Sequence, residues 1–254
     1  VKQKDYLKKE LKRTKSIIEK LYNKKINIKN LVFSSNIEDA VSNADLIQEN
    51  VPERLNLKKK VIYQLSQFAP KNSIIASSSS GLLPSSLQSN CINPKRFIIA
   101  HPFNPVYILP LVEIVRGSKT SKTVMNEADK FYKNLHMKTL IVNKELPGFL
   151  SDRLQEALWR EGLHIINEGF ATTKDLDEAI TYGPGMRWAL MGTFLTFHLA
   201  GGEMGMKHML DQFGPALKLP WTKLKSPNLN KRLKDKIITG TKNQSKNLSI
   251  DKLS

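Results

Sequence analysis

Short apolar runs alternate with helical patterns from Leu31 to Val142, and after Pro147-Gly148 the strand signals stop. That alternation constrains the fold most. Strands separated by helices form a parallel sheet covered on both faces, whereas a stretch with helical periodicity alone builds a helical layer. The strand candidates are Leu31–Phe33, Asp45–Gln48, Ser73–Ala76, Arg96–His101, Leu109–Val115 and Lys138–Val142. Between them lie helical patterns over Ile37–Val41, with Asn36 as cap, from Pro52-Glu53 to about Ser66, and over Lys122–Leu135. An opening helix over residues 1–24 is set by Leu7, Leu11, Ile18 and Leu21 at helical spacing. The second half reads as helices over about 151–169, 173–181, 187–199 and 203–213, with a weak pattern in Asn230–Ile238. The expected fold class is α/β: an incomplete Rossmann-type doubly wound parallel sheet followed by an all-helical C-terminal domain. The expected division is 1–143 and 144–254.

No glycine occurs before Gly81. The glycine-rich turn that opens a dinucleotide fold is therefore absent from the first 80 residues. If the fold is of that type, its first β-α-β unit is expected upstream of Val1. The residue that selects NAD or NADP follows the second strand of such a fold, so the residues alone leave that choice open.

The net charge of +17 raises the question of nucleic acid. Residues 1–30 carry eleven Lys/Arg against three acids, and 222–254 carry nine against two, so the basic charge sits at the two ends. Lysines outnumber arginines 32 to 8, and few Arg–aromatic pairings of the kind that read bases occur. The expectation is a solvated basic surface and no nucleic-acid partner. No apolar run reaches the ~18 residues needed to span a bilayer, so no membrane partner is expected. A single cysteine, Cys91, rules out a disulfide within the chain and fits a cytoplasmic setting. His136, His164, His198 and His208 lack ligand spacing, and no metal is expected.

The residues with chemistry fall between Ile74 and Val115. Ser77-Ser78-Ser79-Ser80-Gly81 follows a buried strand, at the edge where parallel sheets bind ligands. The same run also suits a helix-capping turn. His101 ends the next strand, ahead of Pro102-Phe103-Asn104-Pro105. Histidine is the usual general base near neutral pH. Twelve residues on, Glu113 sits alone in Leu111-Val112-Glu113-Ile114-Val115, where a carboxylate needs a buried partner. His101 is a suitable one, although a structural histidine with an unrelated acid fits the pattern as well.

Ala76-Ser77-x-x-Ser80, His101-x-x-Asn104-Pro105 and Leu111-Val112-Glu113, at these intervals, resemble the 3-hydroxyacyl-CoA dehydrogenase family. Ala44-Asp45-Leu46-Ile47-x-Glu49-x-x-x-Glu53 and Pro147-Gly148-Phe149-x-x-x-Arg153 are similar to it too. The resemblance implies NAD as cofactor and a small-molecule substrate oxidised at a secondary hydroxyl. It makes His101 the base, Glu113 its orienting acid, and Ser80 and Asn104 ligands of substrate oxygen and nicotinamide. It places Glu53 and Lys58 near the cofactor ribose and amide, and it implies a homodimer through the helical domain. One departure stands out. Asp152 occupies the position that is asparagine in the hydroxyacyl-CoA enzymes, and an acid there alters the polarity of the substrate that fits.

Within the helical half, Gly183-Pro184-Gly185-Met186-Arg187-Trp188 and Phe213-Gly214-Pro215 through Trp221 are similar to the carnitine-oxidising branch of that family. A quaternary ammonium donates no hydrogen bond and is held by aromatic faces and diffuse negative charge. Trp188, Phe194 and Trp221, with Tyr182 and Phe197 beside them, are candidates for it, and Arg187 for the substrate carboxylate. Gulonate, 3-hydroxybutyryl-CoA and a non-catalytic crystallin-like role remain as alternatives.

Overall fold

The computed structural model describes residues 2–202, 205–215, 219–223, 230–233, 235 and 239. Two compact units divide the chain, 1–153 and 154–254.

The first unit opens with α1 (Lys2–Tyr22) and α2 (Ile37–Val41), the latter capped by the Asn36 side chain, which accepts from Glu38 N. A five-stranded sheet follows in the order β1 (Leu46–Glu49), β2 (Ile74–Ser77), β3 (Phe97–Pro102), β4 (Leu111–Val115), β5 (Lys138–Val142). The connecting helices are α3 (Leu55–Phe68), α4 (Pro84–Gln88) and α5 (Lys122–Asn134). β2 is buried at every position and β3 at all but Pro102, as expected of strands covered on both faces. Successive side chains point to opposite faces. Ile75, Phe97 and Ile99 join Ile62, Leu65 and Leu87 in one core, while Ile74, Ile98 and Ile114 join Val124, Met125 and Ala128 in the other. The doubly wound class is thus realised, with one strand pair reversed.

That pair is β3 and β4, which run antiparallel while every other pair is parallel. The segment between them, 103–110, is too short for the crossover that a parallel return requires. In this ladder His101 lies directly opposite Glu113.

Two expectations differ at this level. Leu31–Phe33 is not a strand: Val32 is largely exposed and the segment has no partner strand. Leu31 N donates to Ile28 O at 3.1 Å, closing a turn instead of joining a ladder. The helix expected from Pro52 begins three residues later, because Pro52 to Arg54 form a turn closed by Arg54 N donating to Pro52 O.

The second unit is helical among its described residues. Most of α6 (Ser151–Glu168) belongs to it, followed by α7 (Thr173–Thr181), α8 (Pro184–Trp188), α9 (Thr193–Ala200) and α10 (Gly205–Phe213). Thr172 and Asp175 form a reciprocal capping box at the start of α7. The single helix expected over 187–199 is two helices. Met191 N bonds back to Arg187 O, and Gly192, a poor helix former, separates Trp188 from Phe194. Much of the pattern expected over Asn230–Ile238 lies outside the described residues.

Candidate active site

The cross-strand register brings the two functional groups of β3 and β4 together. His101 Nδ1 lies 3.3 Å from Glu113 Oε2, and both side chains are buried. The other carboxylate oxygen, Oε1, accepts from Leu150 N at 3.0 Å, Ser151 N at 2.9 Å and Ser151 Oγ at 3.2 Å. These amides open α6 and have no partner inside the helix, so the carboxylate caps it. The chain enters this turn with Gly148 at φ +73° and Phe149 at φ +47°, a left-handed pair that only glycine adopts freely. Burial pushes the Glu113 carboxyl up, but the bonds from His101, Ser151 and Leu150 outweigh it and hold the group below the usual carboxylate range. An ionised carboxylate only accepts, so the proton of neutral His101 sits on Nδ1 and Nε2 keeps its lone pair. The rings of Phe103 and Phe149 flank the imidazole at 4.8 and 5.9 Å and limit water on it.

Nε2 faces one more group. Asp152 Oδ2 stands 3.7 Å away, on a side chain 28% exposed. Burial raises the Asp152 carboxyl; His101 pulls it down and Glu113 pushes it further up.

Ser80 and Asn104 follow β2 and β3, adjacent parallel strands, beyond their carboxyl ends, and both are exposed. Ser79, by contrast, is buried and donates to Glu53 Oε1, which also accepts from Gly81 N at 3.1 Å and Leu82 N at 3.3 Å. Glu53 therefore shapes the serine loop. Burial raises its carboxyl, and the Ser79 and Gly81 bonds together with Lys58 and Leu82 bring it below its ordinary value.

Lys58 is enclosed. Its ammonium contacts Glu49 Oε1 at 3.1 Å and Oε2 at 3.2 Å, Val51 O at 2.9 Å, and Glu53 Oε2 at 3.4 Å. Ser77 Oγ donates to the same Glu49 carboxylate at 2.5 Å. The expected pair Glu53 and Lys58 is thus brought together, with Lys58 turned inward to tie the loop after β1 to α3.

Sequence reasoning gave Glu49 no role, because a contact between a strand and a helix nine residues on leaves no periodic trace. It also missed Gln48, whose Nε2 donates to Ser78 Oγ at 2.6 Å and Ala100 O at 2.9 Å while its Oε1 accepts from Tyr132 OH. Polar residues in an otherwise apolar strand were the available signal.

A nicotinamide cofactor fits part of this edge. The loops after β1 and β2 lie at the carboxyl ends of parallel strands, where such ligands bind. Space is open at Gly81, where an added Cβ would meet nothing within 4 Å, and the neighbouring Ser80 hydroxyl is exposed. The residues present fit the nicotinamide side. The glycine-rich phosphate cradle is not among them.

In the second unit Arg187 and Trp188 close α8, Phe194 stands in the first turn of α9, and Trp221 lies in an irregular segment. Trp188 is 40% exposed, Phe194 84% and Trp221 71%. The Trp221 segment is tied to α6 by Lys223, whose N donates to Glu161 at 2.9 Å and whose ammonium pairs with Glu168. Tyr182 and Phe197 are exposed as well.

Comparison with known proteins agrees with this architecture. The family model for the NAD-binding domain of 3-hydroxyacyl-CoA dehydrogenase matches residues 2–146, and that for its C-terminal domain matches 148–246. The L-carnitine dehydrogenase of Oceanobacillus iheyensis is 55% identical over 223 residues, which cover 88% of this chain and 73% of that protein. That of Pseudomonas putida is 53% identical over 220 residues, covering 87% and 68%. Among solved structures, the NAD⁺-dependent 5-formyl-3-hydroxy-2-methylpyridine 4-carboxylic acid 5-dehydrogenase shares the fold at TM-score 0.75 and 24% identity, covering 95% of this chain and 77% of that one. (S)-3-hydroxybutyryl-CoA dehydrogenase from Ralstonia eutropha follows at TM-score 0.55 and 28% identity, covering 70% and 60%. The chain belongs to the 3-hydroxyacyl-CoA dehydrogenase family and is an NAD-dependent dehydrogenase.

Proposed function

We propose that the protein oxidises L-carnitine at C3 to 3-dehydrocarnitine. The observation that carries the substrate is its likeness to L-carnitine dehydrogenases over most of the chain. The His101–Glu113 pair supports the chemistry. Neutral His101, with Nδ1–H committed to Glu113, takes the hydroxyl proton at Nε2, and Glu113 balances the imidazolium that forms. Ser80 and Asn104 orient the reacting oxygen. When bound, NAD⁺ supplies the hydride acceptor. Glu53 shapes the serine loop beside it, and Lys58 holds that loop through Glu49. Arg187 pairs with the substrate carboxylate as a planar fork, and Trp188, Phe194 and Trp221 offer aromatic faces to the trimethylammonium.

On this reading residues 1–143 serve the cofactor and 144–254 the substrate and the dimer. Homodimerisation through the helical unit is supported by exposed large side chains there, among them Leu190, Leu195 and Leu199. The buried free thiol of Cys91 fits a cytoplasmic setting. The deciding experiment follows NADH absorbance with L-carnitine, gulonate and 3-hydroxybutyryl-CoA on the same enzyme. Preference for carnitine is the expected result; preference for the thioester would leave only the family assignment.

A further inference from the structure

We infer that Asp152 is the residue that selects a cationic substrate, by supplying the counter-charge to a quaternary ammonium carried on the carbon next to the reacting one. The inference rests on the carnitine reading and adds the group that carries its charge specificity.

The two carboxylates at the imidazole differ in how they are balanced. Glu113 is fully occupied: one oxygen faces His101 and the other takes three donors from Leu150 and Ser151. Asp152 is not. Among the described residues its one ion-pair partner is the His101 ring, and no lysine or arginine lies within ion-pair distance. For His101 to accept a proton it must begin neutral. In that state the Asp152 carboxylate is three-quarters covered, stands beside a second carboxylate and has no cation. A carboxylate so placed is costly unless a positive charge arrives with the ligand. Its raised protonation range agrees with that cost.

Covalent geometry then says where such a charge lies. A C3 hydroxyl that donates to Nε2 stands within hydrogen-bond reach of it. In a substrate with nitrogen on C4, oxygen and nitrogen are three bonds apart, a separation of about 3–4 Å from standard bond lengths. Asp152 Oδ2 is 3.7 Å from that same Nε2. A substrate held in this way can turn its ammonium onto Asp152, the one uncommitted carboxylate at the imidazole among the described residues. After proton transfer two cations, the imidazolium and the ammonium, face two carboxylates, Glu113 and Asp152. A thioester substrate brings no charge at C4, and asparagine at this position, as in the hydroxyacyl-CoA enzymes, suits it. Aromatic faces contribute to holding a quaternary ammonium but accept an apolar group of equal shape. A carboxylate does not.

The test crosses two enzymes with two substrates. L-Carnitine and its neutral isostere 3-hydroxy-5,5-dimethylhexanoate, in which carbon replaces the quaternary nitrogen, are compared on the wild type and on Asp152→Asn. The wild type is expected to prefer carnitine. Asp152→Asn is expected to lower the ratio of kcat/KM values, carnitine over isostere, by roughly 10- to 100-fold, the lower range for losing one partner of a charge pair. Asp152→Glu keeps the charge and is expected to restore part of the ratio, and it serves also if Asp152→Asn fails to fold. An unchanged ratio in Asp152→Asn, including an equal loss on both substrates, overturns the inference while leaving the carnitine reading intact. A wild type that ignores carnitine overturns both.

Discussion

Lys58 and Glu49 meet at 3.1 Å with their side chains only 2% and 1% exposed, and the pair joins the loop after β1 to α3. The same carboxylate accepts from Val51 N at 2.6 Å and Ser77 Oγ. One ion pair thus braces the ends of β1 and β2 and the turn at Val51.

Removing the cation should expose how much rests on it. Lys58→Ala leaves Glu49 buried and unbalanced, which typically costs about 3–5 kcal/mol. The double variant Lys58→Met with Glu49→Leu should recover most of that loss, because neither charge remains to be desolvated. Chemical denaturation of the single and double variants measures both. A single variant as stable as the wild type would mean that the pair is dispensable.

The proton-transfer assignment makes a graded prediction. His101→Gln should lower kcat by roughly 10²–10⁴. Glu113→Gln should retain the fold, since the amide oxygen can still accept from Leu150 and Ser151. Its NH₂ then donates to Nδ1 and drives the ring proton to Nε2, the wrong tautomer for a base. Turnover should fall while the melting temperature changes little. Near-full turnover in His101→Gln at saturating substrate would refute the assignment.

Stability should depend on pH in opposite senses at the two carboxylates beside His101. The folded Glu113 value is depressed from 4.5, so its contribution is complete above that pH and is lost as pH falls through the lower, folded value. The Asp152 value is raised from 3.8, so the favourable state is the protonated one, present below that pH and lost as pH rises through the folded value. Asp152→Asn should accordingly melt slightly higher than the wild type at neutral pH, even as its activity on carnitine falls. Thermal melting between about pH 3 and 8, which spans the ordinary carboxylate values, reads both effects.

The substrate contacts proposed for the helical unit can be separated from those proposed for the cofactor. Trp188→Ala or Trp221→Ala should raise KM for carnitine by roughly 5- to 30-fold, since desolvated cation–π contacts are worth ~1–2 kcal/mol. Arg187→Lys keeps the charge and loses the fork, and should weaken carboxylate binding. The KM for NAD⁺ should stay constant in all three. A parallel rise in both constants would point to a folding defect.

The sequence made some of this legible and hid the rest for identifiable reasons. His101 and Glu113 stood out because a carboxylate within Leu111–Val115 has few ways to be satisfied. The sheet was legible because β2 and β3 are continuous apolar runs. The reversal of β4 was not, since an apolar run carries no direction; only the shortness of 103–110 encodes it. Lys58 had only the cofactor-side place that the resemblance implied and Glu49 had none; that the two form an enclosed pair became visible only in the fold. Leu31–Phe33 had strand composition without a ladder to join, and the break at Gly192 was overridden by the apolar pattern on either side of it. Asp152 was visible only as a departure from a resembling motif; its distance from Nε2 gave that departure a chemical meaning.

His101 and Glu113 are rungs of the same ladder, which decouples the pair from the segment that joins them. Lengthening or replacing the tip of 103–110 moves neither residue so long as the strands keep their pairing. A slip of one residue would turn Glu113 to the opposite face and dismantle the pair without altering composition at all. The proposed base is in this sense part of the scaffold, and the part of the loop beyond Asn104 is free to be remodelled for new substrates while the His101–Glu113 pair stays in place.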